Sequence, residues 1–220
     1  MVLPLVWDAV GARTYETGVD HGVLYIPDVA GLYKSGFAWN GLTAVTESPS
    51  GADAVPLYAD NMKYLNLVAA EQYGATIEAY TYPEEFGQCD GTSAPKKGVL
   101  LGQQARKHFG LSYRTAVGND LLGTEFGYKL HLVYGALAAP SERAHTTVND
   151  APEALTFSWA VTTTAVAVTG AKATSVITID STKVTPANLT SLETLLYGTG
   201  VIPPELPLPD AVIALFTNPV

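Results

Sequence analysis

Four histidines, one cysteine and one adjacent pair of carboxylates are the residues from which a reactive site would have to be built. His21, His108, His131 and His145 are scattered, with no His-x-His or His-x-x-x-His spacing that would aim two imidazoles at one metal ion. His131 alternates with Tyr128, Leu130, Leu132 and Tyr134, so it reads as the outward-facing polar residue of a strand. Glu84 and Glu85 are sequential and point apart, whereas a glycosidase opposes two carboxylates across its substrate. They read instead as acids in the first turn of a short helix. Cys89 lies in Gln88-Cys89-Asp90-Gly91, where the neighbouring carboxylate disfavours a thiolate, so it reads as a passive thiol. No Gly-x-Ser-x-Gly elbow and no glycine-rich phosphate loop occurs. Trp7, Trp39, Trp159 and the 12 tyrosines could stack on sugars, but Trp159 falls on an apolar strand face and reads as core. The expectation is a protein without catalytic residues, metal or cofactor.

The elements that would carry these residues are mainly strands. Leu155, Phe157, Trp159 and Val161 alternate with small or hydroxylated residues, the period of two that marks a half-buried strand. The same alternation runs through Phe109–Val117, Tyr128–Tyr134 and Ser175–Asp180, and strands are expected at Val23–Ile26, Lys63–Ala70 and Ala75–Tyr82. The last two are joined by a tight Gln72-Tyr73-Gly74 connection. Asn40-Gly41 between Ser35–Trp39 and Leu42–Thr46 predicts a two-residue hairpin. One helix is expected over 185–197: Thr185 caps, Pro186 opens, Leu189, Leu192, Leu195 and Leu196 form a stripe, and Gly198 stops it. The fold class is therefore mainly β, a β-sandwich or barrel with one flanking α-helix.

The chain has 220 residues, of which 47% are hydrophobic and only 15% charged, enough apolar material for a sizeable core. Its net charge is −9, with the acids spread along both halves and no basic stripe to grip phosphates. One cysteine excludes an internal disulfide framework and suits a reducing cytoplasm. No apolar run is long enough for a membrane helix, and Met1–Val6 lacks the features of a secretory signal.

Three segments fit a sandwich poorly. Residues 1–20 have no clear period and are assigned to an N-terminal arm, and residues 21–198 to the sandwich with its helix. Glu47–Asn61 reads as a long connection carrying Pro49, Gly51 and Pro56. Residues 199–220 read as a proline-rich C-terminal arm that stays extended yet carries Leu206, Leu208, Ile213, Leu215 and Phe216. Those five are the expected docking residues of an arm that lies on a neighbouring subunit.

Several stretches resemble the major tail (tail tube) proteins of long-tailed, non-contractile bacteriophages. They include Phe37-Ala38-Trp39-Asn40-Gly41 within 36–51, Leu57-Tyr58-Ala59-Asp60-Asn61, and Ala75-Thr76-Ile77-Glu78-Ala79-Tyr80 leading to Phe86. The likeness continues through residues 113–120, 127–135, 138–142, 150–159 and 179–182 to Leu206-Pro207-Leu208-Pro209, most of the chain. It implies a β-sandwich whose copies close into six-membered rings, with rings stacking into a tube through a long loop and terminal arms. It also implies a virion-tail location after assembly in the host cytoplasm. The partners implied are further copies of the chain and the tape measure, tail terminator and distal tail proteins. Double-stranded DNA would cross the lumen without specific binding, and no membrane is involved. On this reading Glu47, Val55, Leu57, Tyr58, Asp60 and Asn61 are the candidate contacts between rings. The inner tube of a contractile injection machine and a carbohydrate- or receptor-binding β-module are the alternatives.

Overall fold

Two residues separate Trp39 from Leu42, and that short link shapes the whole molecule. The computed structural model describes residues 4–147, 150 and 154–216. Its strands are β1 (Thr14–Ile26), β2 (Ser35–Trp39), β3 (Leu42–Glu47), β4 (Ser50–Gly51), β5 (Ala54–Ala59), β6 (Met62–Val68) and β7 (Glu71–Gln72). They continue as β8 (Gly74–Ala79), β9 (Ser93–Lys96), β10 (Val99–Leu101), β11 (Phe109–Asn119), β12 (Gly123–Ala138), β13 (Phe157–Thr163) and β14 (Val176–Asp180). A 3-10 helix spans Glu84–Gln88, and the α-helices are α1 (Pro186–Tyr197) and α2 (Pro209–Leu215). The chain is mainly β, as the alternation predicts.

Eight strands form one antiparallel sheet in the order β2-β1-β11-β12-β13-β8-β3, with β14 also paired to β12. Asn40-Gly41 does turn the chain, but the expected hairpin does not form: β2 pairs with β1 and β3 with β8. Only Gly41 adopts positive φ there, so the paired left-handed residues of a tight hairpin are missing. A flat sheet of that order would separate β2 from β3 by about 29 Å at the usual strand spacing. A two-residue link spans only about 10 Å. The sheet therefore curls until its two ends meet.

Curling gives the sheet an inner and an outer face, each with a core. Inside, Trp159, Phe86, Phe109 and Trp39 make an aromatic cluster with Phe86–Trp159 centroids 5.0 Å apart and Trp39–Phe86 4.7 Å apart. Outside, Tyr25, Leu130, Leu132 and Tyr134 pack against Leu189, Leu192 and Leu196 of α1. Both faces of β12 are thus covered, and His131, expected to face water, is only 7% exposed. Where β12 passes from its pairing with β14 to its pairing with β13, Gly135 bends it at φ +59°. A Cβ there would lie 2.3 Å from the Thr164 carbonyl oxygen.

Both termini differ from the arms assigned to them. Thr14–Thr17 pair with Ala116–Asn119, so residues from Thr14 onward belong to the sheet. The register shifts around Asp20, where His21 has φ +50°, interrupt the alternation that would have revealed this strand. At the other end, Pro209 occupies the first turn of α2, where its missing N–H costs nothing, so proline starts a helix instead of prolonging an extended arm. Leu206, Leu208, Leu215 and Phe216 join the outer core of their own chain, the Leu206 N–H donates to the Tyr33 carbonyl, and the Tyr134 hydroxyl donates to the Pro207 carbonyl. Of the five expected docking residues Ile213 alone stays exposed. Residues 217–220 of that expected arm lie outside the described residues.

Two substitutions test this packing. Leu192 is fully buried, and Leu192→Ala should lower unfolding stability by about 2–5 kcal/mol in denaturant melts. Gly135→Ala adds backbone strain to a steric clash and should cost more than about 1 kcal/mol in the same assay.

Candidate assembly interface

The connection expected as a loop at Glu47–Asn61 is the first half of a β-ribbon. Asp60 and Asn61 have φ +51° and +62°, the paired left-handed conformation of a type I′ turn, which Asp and Asn tolerate better than most residues. That turn returns β5 along β6, and the β4–β7 pair forms the stem below. Every residue of β5 and β6 is exposed. Pairing of Val55 with Leu67 and of Leu57 with Leu65 sets these four side chains on one face, exposed between 38% (Leu65) and 57% (Val55). Tyr58, Met62, Tyr64 and Val68 are exposed as well. A lone two-stranded ribbon is marginal in water, and one that also displays an apolar stripe lacks the cover that would stabilise it.

Of the expected contact residues, Val55, Leu57 and Tyr58 lie on this ribbon and Asp60 and Asn61 form its tip. Glu47 does not belong with them, because it ends β3 and turns into a polar cleft. The strand expected at Lys63–Ala70 forms as β6, and its Leu65 and Leu67, absent from the expected contact residues, share the ribbon's apolar face. The signal was present in Asp60-Asn61 flanked by two apolar alternations.

Two smaller apolar displays accompany the ribbon. Leu5, Val6, Trp7 and Val10 are exposed in the segment before β1, which is tethered by the Gly11 N–H donating to Asp120 and Asn119 donating to the Gly11 carbonyl. The β9–β10 hairpin exposes Val99, Leu100 and Leu101 beside the turn carrying Lys97. Arg106, by contrast, is occupied, since it pairs with Asp90 at 3.2 Å. Cys89 is fully buried, and burial pushes its thiol up to about 12, with Lys107 opposing and Asp90 adding to the shift. It is inert near neutral pH.

The polar cleft, about 350 Å³ in volume, is lined by Glu16, Val45, Glu47, Tyr113, Thr115, Lys129, His131 and Thr178. The His131 ring stacks on Tyr113 with centroids 4.6 Å apart and planes 5° apart. Its Nε2 lies 3.0 Å from Thr115 Oγ1, whose hydroxyl donates to Glu16 Oε1, and Lys129 Nζ donates to the other Glu16 oxygen. The Tyr113 hydroxyl donates to Glu47 Oε1 at 3.0 Å, and that oxygen stands 3.8 Å from His131 Nδ1. Burial pushes the imidazole below its ordinary pKa, against the pull of Glu47 and Glu16. Burial also works to raise Glu16, but Lys129 and Thr115 more than offset it and hold the carboxyl below its usual range. The Thr115 hydroxyl thus links the imidazole to the Glu16 carboxylate, which Lys129 holds from its other oxygen.

No family model matches the sequence, and no curated protein matches it. Among solved structures, the chain is similar to one in the sheath–tube complex, in its extended state, of the PVC extracellular contractile injection system. That likeness has 15% identity and a TM-score of 0.35 over 76% of this chain and 93% of that chain. It is also similar to a chain of the baseplate of the anti-feeding prophage AFP, with 9% identity and a TM-score of 0.39 over 84% of this chain and 100% of that chain. Likenesses this distant carry no argument about fold or function, which rest on the geometry above.

Proposed function

We propose that the chain is a structural subunit that assembles with copies of itself into stacked rings, six to a ring, forming the tail tube of a long-tailed, non-contractile phage. The observation that carries this reading is the wholly exposed ribbon with its stripe of Val55, Leu57, Leu65 and Leu67. An uncovered apolar ribbon favours association, and a repeated copy of the chain offers a repeated acceptor. The resemblance of residues 36–61 and of later stretches to tail tube proteins points the same way. The net charge of −9 per subunit suits a conduit, because an acidic lumen repels DNA where a basic one would hold it by counterion release. On this reading the protein catalyses nothing, and its further partners are the tape measure, tail terminator and distal tail proteins.

Purified protein viewed by negative-stain microscopy should show rings or hollow tubes. Leu57→Asp with Leu65→Asp should leave the circular dichroism spectrum and melting temperature of the subunit nearly unchanged while abolishing tubes. Normal tubes from that variant would remove the ribbon from the contact, and monomers throughout would remove the reading itself. Tubes that recruit a separate sheath protein would move it to a contractile machine.

Replacing residues 53–69 by a short glycine-bearing turn is the complementary test. The two cores lie outside this segment, so the shortened chain should stay folded and protease-resistant yet fail to elongate. Global unfolding would show that the ribbon is part of the subunit's core.

A further inference from the structure

We propose that His131 is a proton-operated latch on the root of the ribbon: taking up a proton turns its Nδ1 from an acceptor into a donor toward Glu47 and tightens the seat from which the ribbon projects. Two residues lie between Glu47 and β4, so whatever holds this carboxylate holds the first root. The second root is Tyr73, between β7 and β8, whose hydroxyl is buried without a hydrogen-bond partner among the described residues.

The hydroxyl chain decides where the proton goes. Thr115 gives its proton to Glu16, so its oxygen accepts from Nε2 of His131. The neutral imidazole therefore carries its hydrogen on Nε2 and turns the bare Nδ1 toward Glu47, with the Thr178 hydroxyl at 3.4 Å as its other neighbour. At neutral pH a lone pair faces a carboxylate that accepts from the Tyr113 hydroxyl. A proton added on acidification has only Nδ1 to occupy, and it converts this contact into a charge-assisted one.

The other groups that face the ring leave this choice unchanged. Glu16 on β1 is already engaged by Lys129 on β12, Tyr113 on β11 keeps its proton because burial raises its pKa, and Thr178 on β14 is uncharged. Because burial holds the imidazole pKa down, folding is favoured by the neutral form. Overall stability contributed by this group is present above the unfolded pKa of about 6.5 and declines as pH falls toward the folded value. The local tightening at Glu47 and the global loss have opposite signs, which makes them separable.

The test follows the His131 ring signals by NMR between pH 8 and pH 5 on the full chain kept unassembled, so its outcome is independent of the tube. Amide exchange at Ser50–Gly51 and Glu71–Gln72, corrected for intrinsic rate, is read alongside that of β11 as the global control. Root exchange should slow roughly two- to fivefold as His131 titrates, the size of a modest ion pair. Glu47→Gln should lower the His131 midpoint and abolish the root response. Glu16→Gln should also lower the midpoint but keep the response. Root exchange that stays flat through the titration, or that still responds in Glu47→Gln, would overturn the latch. So would an imidazole that stays neutral until the fold is lost.

Discussion

The short link between β2 and β3 is the constraint on which the rest of this structure depends. It joins strands at opposite ends of a seven-strand path, and a sheet that wide cannot accept so short a link without curling. Closure in turn creates an enclosed inner face, where Trp159 and Phe86 meet Trp39 and Phe109, and an outer face that still needs cover. Helix α1 and the chain end with α2 supply that cover, which is why an apolar C-terminal segment packs on its own subunit. The proline spacing that suggests an extended arm serves to steer the chain across Tyr33 and Tyr134 and then to open a helix.

Against a core satisfied on both faces, the ribbon stands out energetically. A subunit could bury Val55, Leu57, Leu65 and Leu67 by laying the hairpin on its own sheet, yet the outer face is occupied by helices and the inner face is filled. The ribbon is left to find its cover elsewhere. Exposed edges and apolar strands are hazards for a monomer, because they template indiscriminate pairing. In an ordered assembly the same features become specific once a single geometry covers them.

The polar cleft shows the other side of curling. Closing the sheet brings Glu47 on β3 and Glu16 on β1 to either side of an imidazole that the strand pattern alone points at water. Burying that imidazole is tolerable because it is neutral, stacked on Tyr113 and hydrogen-bonded through Thr115.

What the sequence by itself determined is what depends on near neighbours in the chain. The alternation through Tyr128–Tyr134 and Phe109–Val117 made strands, the stripe from Leu189 to Leu196 made a helix stopped by Gly198, and Pro83 with Glu84 and Glu85 opened a short turn that buries Phe86. Each is a local choice of backbone conformation, and each reads from a window of a dozen residues. Partnership was decided only in three dimensions. Asn40-Gly41 encodes a turn but not whether its flanking strands pair with each other, because their partners, β1 and β8, come from elsewhere in the chain. The ribbon, the inward face of His131 and the docking of Leu206 were hidden for the same reason. A side chain's exposure depends on what covers its face, and that cover comes from residues far away in the chain, brought there only when the sheet closes.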